Sequence, residues 1–181
     1  MLGIPRSEGR VGLLGRSAMT APVGGDGVNR RRQIQMSDDE VRQLLEGSRT
    51  VIVCTFNHDG TIHAVPMWHG LVDGDLVFHT KAKSQKALNL RRDDRVTCLV
   101  EAGEAYGELR GAELVGRAVV VEDPEELWEI GVSVFDRHIA PYEEAAHREE
   151  VRAMLHNRLG FRVLPSRVVS WDHRKLSAPP G

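Results

Sequence analysis

The middle of the chain carries short runs of β-branched, aromatic and other apolar residues, separated by Gly, Asp, Asn and Pro. Such runs are typical of β-strands, and the residues between them are typical of turns. The last run is interrupted near Pro165. We therefore predict six strands, over residues 50–56, 61–72, 76–80, 95–102, 108–123 and 160–172.

The turns between the strands predict how they pair. Asp59-Gly60 and Asp73-Gly74 separate the first three strands, so an antiparallel meander is expected over residues 50–80. Gly111 and Gly116 lie inside the long fifth strand, where glycine is typical of a bulge or a bend. The sheet is therefore expected to curl into a small barrel.

Four segments have the spacing or the end signals of helices. Ser37 and Glu40 form a capping-box pattern, and Gly47 is placed to end the helix that follows. Asp123-Pro124 is a second start signal. The predicted helices cover residues 37–47, 84–92, 123–138 and 142–157. Strands and helices together indicate an α+β fold, in which helices flank an antiparallel barrel.

Length and composition set the limits of the domain. The chain of 181 residues suits one domain, placed at residues 36–176, with a disordered tail at 1–35 and a frayed end at 177–181. The net charge of −2 argues against a nucleic-acid binder, and no run has the length of a membrane span. Cys54 and Cys98 lie in apolar runs, which favours buried thiols in a reducing cytoplasm.

The stretch 76–96 carries the candidate chemistry. The chain has four lysines and twenty arginines, and Lys81, Lys83 and Lys86 fall within six residues of this stretch. Ser84 is placed to cap the next helix, whose first-turn N–H groups are then free to bind an anion. Hydroxyls and lysines at a helix N-terminus indicate a phosphate site, and a solvated basic turn is the alternative interpretation.

The same stretch resembles a family of flavin proteins. The pairs His79-Thr80 and Asn89-Leu90 and the triplet Ser84-Gln85-Lys86 match positions where that family carries an aromatic-Thr pair, a Ser-Arg-Lys triplet and the helix behind it. The segments KALNLRRDDRV and RVLPSRVVSWDHRKL are similar to members that use the deazaflavin coenzyme F420. Over residues 37–176 the chain therefore resembles the split β-barrel flavin/deazaflavin oxidoreductases, which include the pyridoxamine 5'-phosphate oxidases. The resemblance implies a six-stranded antiparallel split β-barrel.

The resemblance also implies roles for individual residues. Lys86 is expected to hold the cofactor phosphate, with help from Ser84. Gln85 stands where the family usually has Arg, so Lys81 or Lys83 is expected to supply the missing charge. The second strand is expected to run beside the cofactor ring. The implied cofactor-binding residues are His63, Val65, Pro66, Met67, Trp68, Thr80, Lys81, Lys83, Ser84, Gln85 and Lys86.

By this resemblance the protein is an oxidoreductase that uses F420 for hydride transfer to a conjugated or aromatic small molecule, such as an enone, a quinone or a tetrapyrrole. An FMN-dependent reductase or oxidase of the same fold, and a non-catalytic flavin- or haem-binding protein, are the alternatives. The oxidases grip pyridoxamine phosphate with an Arg-Leu-His-Asp-Arg run, which WDHRKL replaces here, so that activity is not expected. A homodimer with the cofactor at the subunit interface is implied.

No residue is assigned a catalytic or metal-binding role. Hydride transfer is chemistry of the cofactor, so the protein needs no acid or base for that step. His63 and His79 are candidate proton donors, with a satisfied strand histidine as the alternative for each. Together with His58 and His69 they suggest a metal site, but no carboxylate or Cys has ligand spacing beside them.

The charge around the groove bears on the choice of cofactor. F420 carries an acidic oligoglutamate tail beyond its phosphate, whereas FMN ends at the phosphate. The basic residues Lys81, Lys83, Arg91 and Arg92 therefore favour F420. Gln85 keeps a third possibility open, a structural dimer with a vestigial site that binds neither cofactor.

Overall fold

The computed structural model describes residues 30–176, with side chains from residue 31 onward. The five helices are α1 (Arg30–Ile34), α2 (Asp38–Gly47), α3 (Gln85–Arg92), α4 (Pro124–His138) and α5 (Glu144–Leu155). The seven strands are β1 (Val51–Phe56), β2 (Ile62–Met67), β3 (Gly70–Val72), β4 (Asp75–Lys81), β5 (Arg95–Ala102), β6 (Arg110–Val121) and β7 (Arg158–Asp172). Short 3₁₀ turns cover Tyr106–Glu108 and His173–Leu176.

The two ends of the described chain lie against each other. Residues 1–29 of the predicted tail and the predicted frayed end at 177–181 lie outside the described residues. Arg30–Ile34, which the sequence assigned to the tail, is helical. Beside it, Lys175 Nζ in the C-terminal 3₁₀ turn donates to Gln35 O at 2.8 Å. A contact between residues so far apart in sequence leaves no trace in local composition.

The seven strands form one antiparallel sheet in the order β2-β1-β5-β6-β7-β4-β3. The strands β2 and β3 follow each other in sequence but lie at opposite edges of the sheet. From Met67 to Gly70 the chain can span at most about 11 Å, so the sheet must curl until its two edges come close. This confirms an α+β split barrel with flanking helices, and it has seven strands where the sequence predicted six.

The prediction of a single strand over residues 61–72 is wrong, and so is the predicted three-strand meander. β2 pairs with β1, whereas β3 pairs with β4. The break falls at Trp68, whose ring stacks on the ring of His138 at 4.8 Å, and at His69, whose Nε2 lies 3.1 Å from Leu45 O. These contacts with α4 and α2 carry the chain from one edge of the sheet to the other.

The core fills the inside of the curled sheet. Val53, Phe78, Leu114 and Phe161 are fully buried there, and the rings of Phe78 and Phe161 stack with their centres 5.2 Å apart. α2 adds Val41, Leu44 and Leu45 to this core. α4 packs on the outside, over β3 and β4. No helix between residues 30 and 176 is both long enough and apolar enough to cross a membrane.

A bulge or a bend was predicted at two glycines of β6, and the structure has a bulge at one of them, Gly116. The register of β6 against β7 shifts between Val115 and Gly116, and a Cβ at Gly116 would lie 2.1 Å from Leu164 O. Gly111 serves another purpose, because a Cβ there would lie 2.3 Å from the indole of Trp171 on the neighbouring strand. At Gly116 the close atom is backbone, so only glycine fits there, whereas a Cβ at Gly111 would require the Trp171 side chain to shift.

Candidate functional site

Two hydroxyl groups close the loop between β4 and α3. Thr80 Oγ1 lies 3.1 Å from Ser84 Oγ, and the Ser84 N–H donates to Lys81 O at 2.9 Å. Ser84 occupies the N-cap position of α3, but its side chain accepts no hydrogen bond from the helix backbone, so the predicted side-chain cap is wrong. The first-turn N–H groups of α3 therefore lack a capping side chain, as an anion site requires.

Lys86 reaches back toward the same hydroxyl groups. Its Nζ donates to Thr80 Oγ1 at 3.3 Å, and the side chain is half-buried. Burial, followed by the positive charge of Arg158, lowers the pKa of Lys86. Within residues 31–176 no carboxylate lies within 4.0 Å of this ammonium group. A half-buried cation among hydroxyls and a second cation can gain from an external anion.

The second cation, Arg158, comes from the start of β7. It pairs with Lys81 in the ladder between β4 and β7, and its Nη1 lies 3.4 Å from His79 Nδ1. His79 is only 6% exposed, and burial, followed by the charge of Arg158, lowers its pKa to about 4. The sequence analysis missed Arg158, because only the long-range pairing of β4 with β7 brings it to Lys86. The one local signal in the sequence was the basic residue Arg158 itself, shortly before the last predicted strand.

The other predicted phosphate residues lie around this cluster. Lys81 and Lys83 are exposed, and neither forms an ion pair with any residue of the described segment. The Gln85 side chain turns along α3 and donates from Nε2 to Asn89 Oδ1 at 2.9 Å. Of the basic residues nearby, Arg158 is the one whose positive charge lowers the pKa of Lys86.

A buried amide connects the middle of α3 to the sheet. Asn89 Nδ2 donates to Thr55 Oγ1 and to Asn57 Oδ1, both at 3.0 Å. Thr55 pairs with His63 in the ladder between β1 and β2. The predicted ring-binding strand β2 therefore lies one strand away from the residues that contact α3.

β2 presents two different faces. His63, Val65 and Met67 are half-buried and pair with residues of β1 whose side chains point into the core. Pro66 faces the other side and is exposed. Because β2 is an edge strand, its outer backbone groups have no strand partner and can bond a ligand. Proline, which lacks an N–H, is tolerated on such an edge.

Trp68 follows the last residue of β2. It is 49% exposed and stacks on His138. The structure thus brings Thr80, Ser84 and Lys86 together, connects His63 to α3 through Thr55 and Asn89, and stacks Trp68 on α4.

The histidines form no metal site within residues 31–176, where no three His, Cys, Asp or Glu side chains are placed to hold an ion. His69 is fully buried, and its Nε2 lies 3.1 Å from Leu45 O at the end of α2. Burial is the main cause that lowers its pKa to about 4. His69 therefore acts as a neutral core residue that joins β3 to α2.

The outer face of the sheet carries a separate apolar feature, which we call the outer groove. It has a volume of about 800 Å³ and runs across β1, β5, β6 and β7, past Cys54 and Leu164. Large apolar side chains on and around it are exposed, namely Phe56, Ile62, Val119 and Val169. Clusters of exposed apolar side chains are typical of surfaces that bind another protein.

Near the β4–α3 loop, the geometry fits a phosphate group. Two hydroxyls, two half-buried cations and a helix N-terminus meet there, and no described carboxylate competes for the cations. A family model described as pyridoxamine 5'-phosphate oxidase matches residues 37–172. The chain belongs to this family. Its split barrel, from α2 to the end of β7, lies inside the matched segment, and so does the cluster around Lys86.

Solved structures support the family assignment. The conserved hypothetical protein Rv2991 of Mycobacterium tuberculosis is 44% identical, with a TM-score of 0.79 over 83% of this chain and 94% of its own. An F420 reductase is 24% identical, with a TM-score of 0.55 over 70% of this chain and 94% of its own. HutZ, the haem storage protein of Vibrio cholerae, is 16% identical, with a TM-score of 0.58 over 74% and 94%. The last two show a common fold. A comparison with curated proteins found no match.

Proposed function

We propose that the protein is an oxidoreductase that uses coenzyme F420 for hydride transfer to a conjugated or aromatic small molecule. The observation that carries the proposal is the cluster of Lys86, Arg158, Thr80 and Ser84, which suits the phosphate of a flavin or deazaflavin. Bound there, either cofactor supplies a ring that accepts or donates a hydride. The fold is shared by an F420 reductase, which supports this use of the barrel.

The residues of the chain would bind and orient the cofactor. We assign none of them a role in the chemical step. Lys86 and Arg158 would neutralise the phosphate, and the hydroxyls of Thr80 and Ser84 would donate to it. The edge of β2 would meet the ring, because His63 lies one strand from Thr55. Fixed at both ends, the ring would present one face to the substrate, and positioning alone can supply a large share of the rate.

The surface charge supports F420 in part. Lys81 and Lys83 are exposed beside the phosphate cluster, with no ion-pair partner in the described segment, and are available to an oligoglutamate tail. Arg91 forms an ion pair with Glu122, and Arg92 donates to Phe56 O. Two of the four basic residues expected to serve the tail are therefore engaged. FMN, which needs only the phosphate cluster, is the second candidate for this reason.

We also propose a cytoplasmic homodimer with the cofactor at the subunit interface, in which the copies pair through the outer groove, whose lining includes Ile62 next to His63. Its exposed apolar side chains, such as Ile62, support burial against a second copy. The free thiols of Cys54 and Cys98 support a reducing compartment. Light scattering should give twice the chain mass of 20.1 kDa, and Ile62→Glu should shift the mass toward one chain. A monomeric wild-type protein at all concentrations would refute the dimer.

A turnover assay tests the oxidoreductase proposal. Reduced F420 is mixed with the protein and with an enone, a quinone or a tetrapyrrole, and the return of the oxidised deazaflavin is followed by its absorbance. We expect a protein-dependent rate, with Arg148→Gln as an unaffected control, because Arg148 pairs with Glu144 on the surface of α5. Turnover with reduced FMN alone would transfer the proposal to FMN. Tight binding without turnover of either cofactor would favour a storage protein and contradict an enzyme.

A further inference from the structure

Arg158 is a half-buried cation without an anionic partner. A guanidinium group has five N–H donors, and the only protein acceptor within hydrogen-bond distance of this one in residues 31–176 is His79 Nδ1, at 3.4 Å. None of the described carboxylates lies within 4.0 Å of it. Charged groups are seldom buried unpaired, so the remaining donors are available to an external ligand.

The backbone around Arg158 is attached to the loop that carries Lys86. Arg158 pairs with Lys81 in the ladder between β4 and β7. One residue before it, Asn157 turns the chain with a φ of 57°, and its carbonyl accepts from the Ala82 N–H at 3.0 Å. Backbone hydrogen bonds therefore hold the start of β7 beside the β4–α3 loop, which keeps the backbone of Arg158 close to the loop that carries Lys86.

The side chain of His79 fixes the direction of the guanidinium group. The imidazole is buried, and its Nδ1 faces Arg158. An acceptor at Nδ1 leaves the proton on Nε2, which is buried without a hydrogen-bond partner in the described segment. A buried donor without an acceptor destabilises the fold, and the contact between Nδ1 and Arg158 is the interaction that offsets this loss.

We propose that Arg158 is the second phosphate-binding cation of the site, in place of the Arg that Gln85 replaces, and that His79 positions it. The proposal rests on the proposed function in that the phosphate is the cofactor's, but the same chemistry would recognise any phosphate monoester. Two observations support the exchange of roles: Gln85 is bonded to Asn89, and the charge of Arg158 acts on Lys86. A dianionic phosphate between the two cations would relieve their repulsion.

Paired titrations with FMN and riboflavin test the assignment, because the two ligands differ only in the phosphate. Arg158→Gln should weaken FMN binding by about 10- to 100-fold, the range for a lost hydrogen bond to a charged group, and leave riboflavin binding unchanged. Arg148→Gln is the matched control, since Arg148 pairs with Glu144 on the surface of α5. Equal FMN affinity in the two variants would overturn the assignment.

A rescue variant separates phosphate binding from a structural role. Gln85→Arg in the Arg158→Gln background returns an arginine to the start of α3 and should recover at least about tenfold of the lost FMN affinity. For the positioning role, His79→Gln keeps an acceptor and should retain FMN affinity, whereas His79→Phe should lose it and also shift the Arg158 Nε–Hε NMR signal. An unshifted signal and full affinity in His79→Phe would remove His79 from the proposal.

Inorganic phosphate makes the test independent of the cofactor. Titrated into the wild-type protein, it should saturably shift the NMR signals of Arg158 Nε–Hε and the His79 imidazole. If these signals shift while neither F420 nor FMN binds, the proposed function fails and the Arg158 assignment stands. If FMN binds normally to Arg158→Gln, the function stands and the assignment fails. No shift of the Arg158 signal with phosphate or with FMN would overturn the assignment directly.

Discussion

Replacing Lys86 by alanine is the sharpest single perturbation of the site. The change removes the ammonium group that donates to Thr80 Oγ1 at 3.3 Å and leaves the hydroxyls in place. A hydrogen bond between charged groups contributes about 1–3 kcal/mol, and about 1.4 kcal/mol corresponds to tenfold in affinity. Arg158 remains and is relieved of the repulsion from Lys86, so we expect the lower part of that range. Lys86→Ala should therefore weaken FMN or F420 binding about 5- to 30-fold.

Calorimetric titration of the cofactor-free protein measures this loss. Riboflavin serves as the internal control, because it lacks the phosphate and should bind wild type and Lys86→Ala equally. Arg152→Ala serves as the control variant, since it removes an exposed cation that pairs with Glu149 on α5. An unchanged FMN affinity, or an equal loss for FMN and riboflavin, would refute the placement of the phosphate at Lys86.

Two further predictions concern stability, and urea denaturation checks both. Gly116→Ala should lower the free energy of unfolding by about 1–3 kcal/mol, because its Cβ would lie 2.1 Å from Leu164 O. Gly47→Ala is the control: a Cβ there has no atom within 4 Å, so the free energy of unfolding should change by less than about 1 kcal/mol. Equal denaturation midpoints for the two variants would contradict the close approach at Gly116. Burial lowers the pKa of His69 and of His79 from 6.5 to about 4, so between these values the unfolded chain binds more protons than the folded one. Stability should therefore be full above pH 6.5 and decline toward pH 4, by up to about 1.4 kcal/mol per pH unit for each histidine, and a pH-independent midpoint would contradict neutral burial.

Local signals predicted most of the elements. The capping box at Ser37 is present, with Glu40 bonded back to the Ser37 N–H, and Asp123 accepts from two N–H groups at the start of α4. These interactions involve residues two or three positions apart, so a short stretch of sequence contains both partners. The bulge at Gly116 is likewise indicated by one residue.

The path between β2 and β3 could not be predicted in the same way. Residues 61–72 contain several strand-forming residues, such as Ile62, Val65 and Val72, and no Asp-Gly turn, so the local pattern favours one strand. The break depends on Trp68 stacking on His138 and on His69 meeting Leu45, contacts that only the folded chain makes. Tertiary packing overrode local propensity here.

Half of the proposed phosphate site could be predicted from the sequence. Thr80, Ser84 and Lys86 lie within seven residues, and the structure brings their polar atoms within hydrogen-bond distance as expected. Arg158 arrives through the pairing of β4 with β7, which the sequence pattern did not reveal. The sequence shows that Gln85 stands where the family usually carries Arg. The basic residues nearest to it in sequence, Lys81 and Lys83, were therefore the predicted replacements.

We propose above all that the cluster of Lys86 and Arg158 holds the phosphate of a deazaflavin. The most direct test is a titration of the cofactor-free protein with F420, and in parallel with FMN, followed by tryptophan fluorescence, which Trp68 near β2 can report. We expect saturable quenching by F420 at lower concentrations than by FMN. Quenching by FMN alone would contradict the deazaflavin assignment, and no response to either would contradict the cofactor site itself.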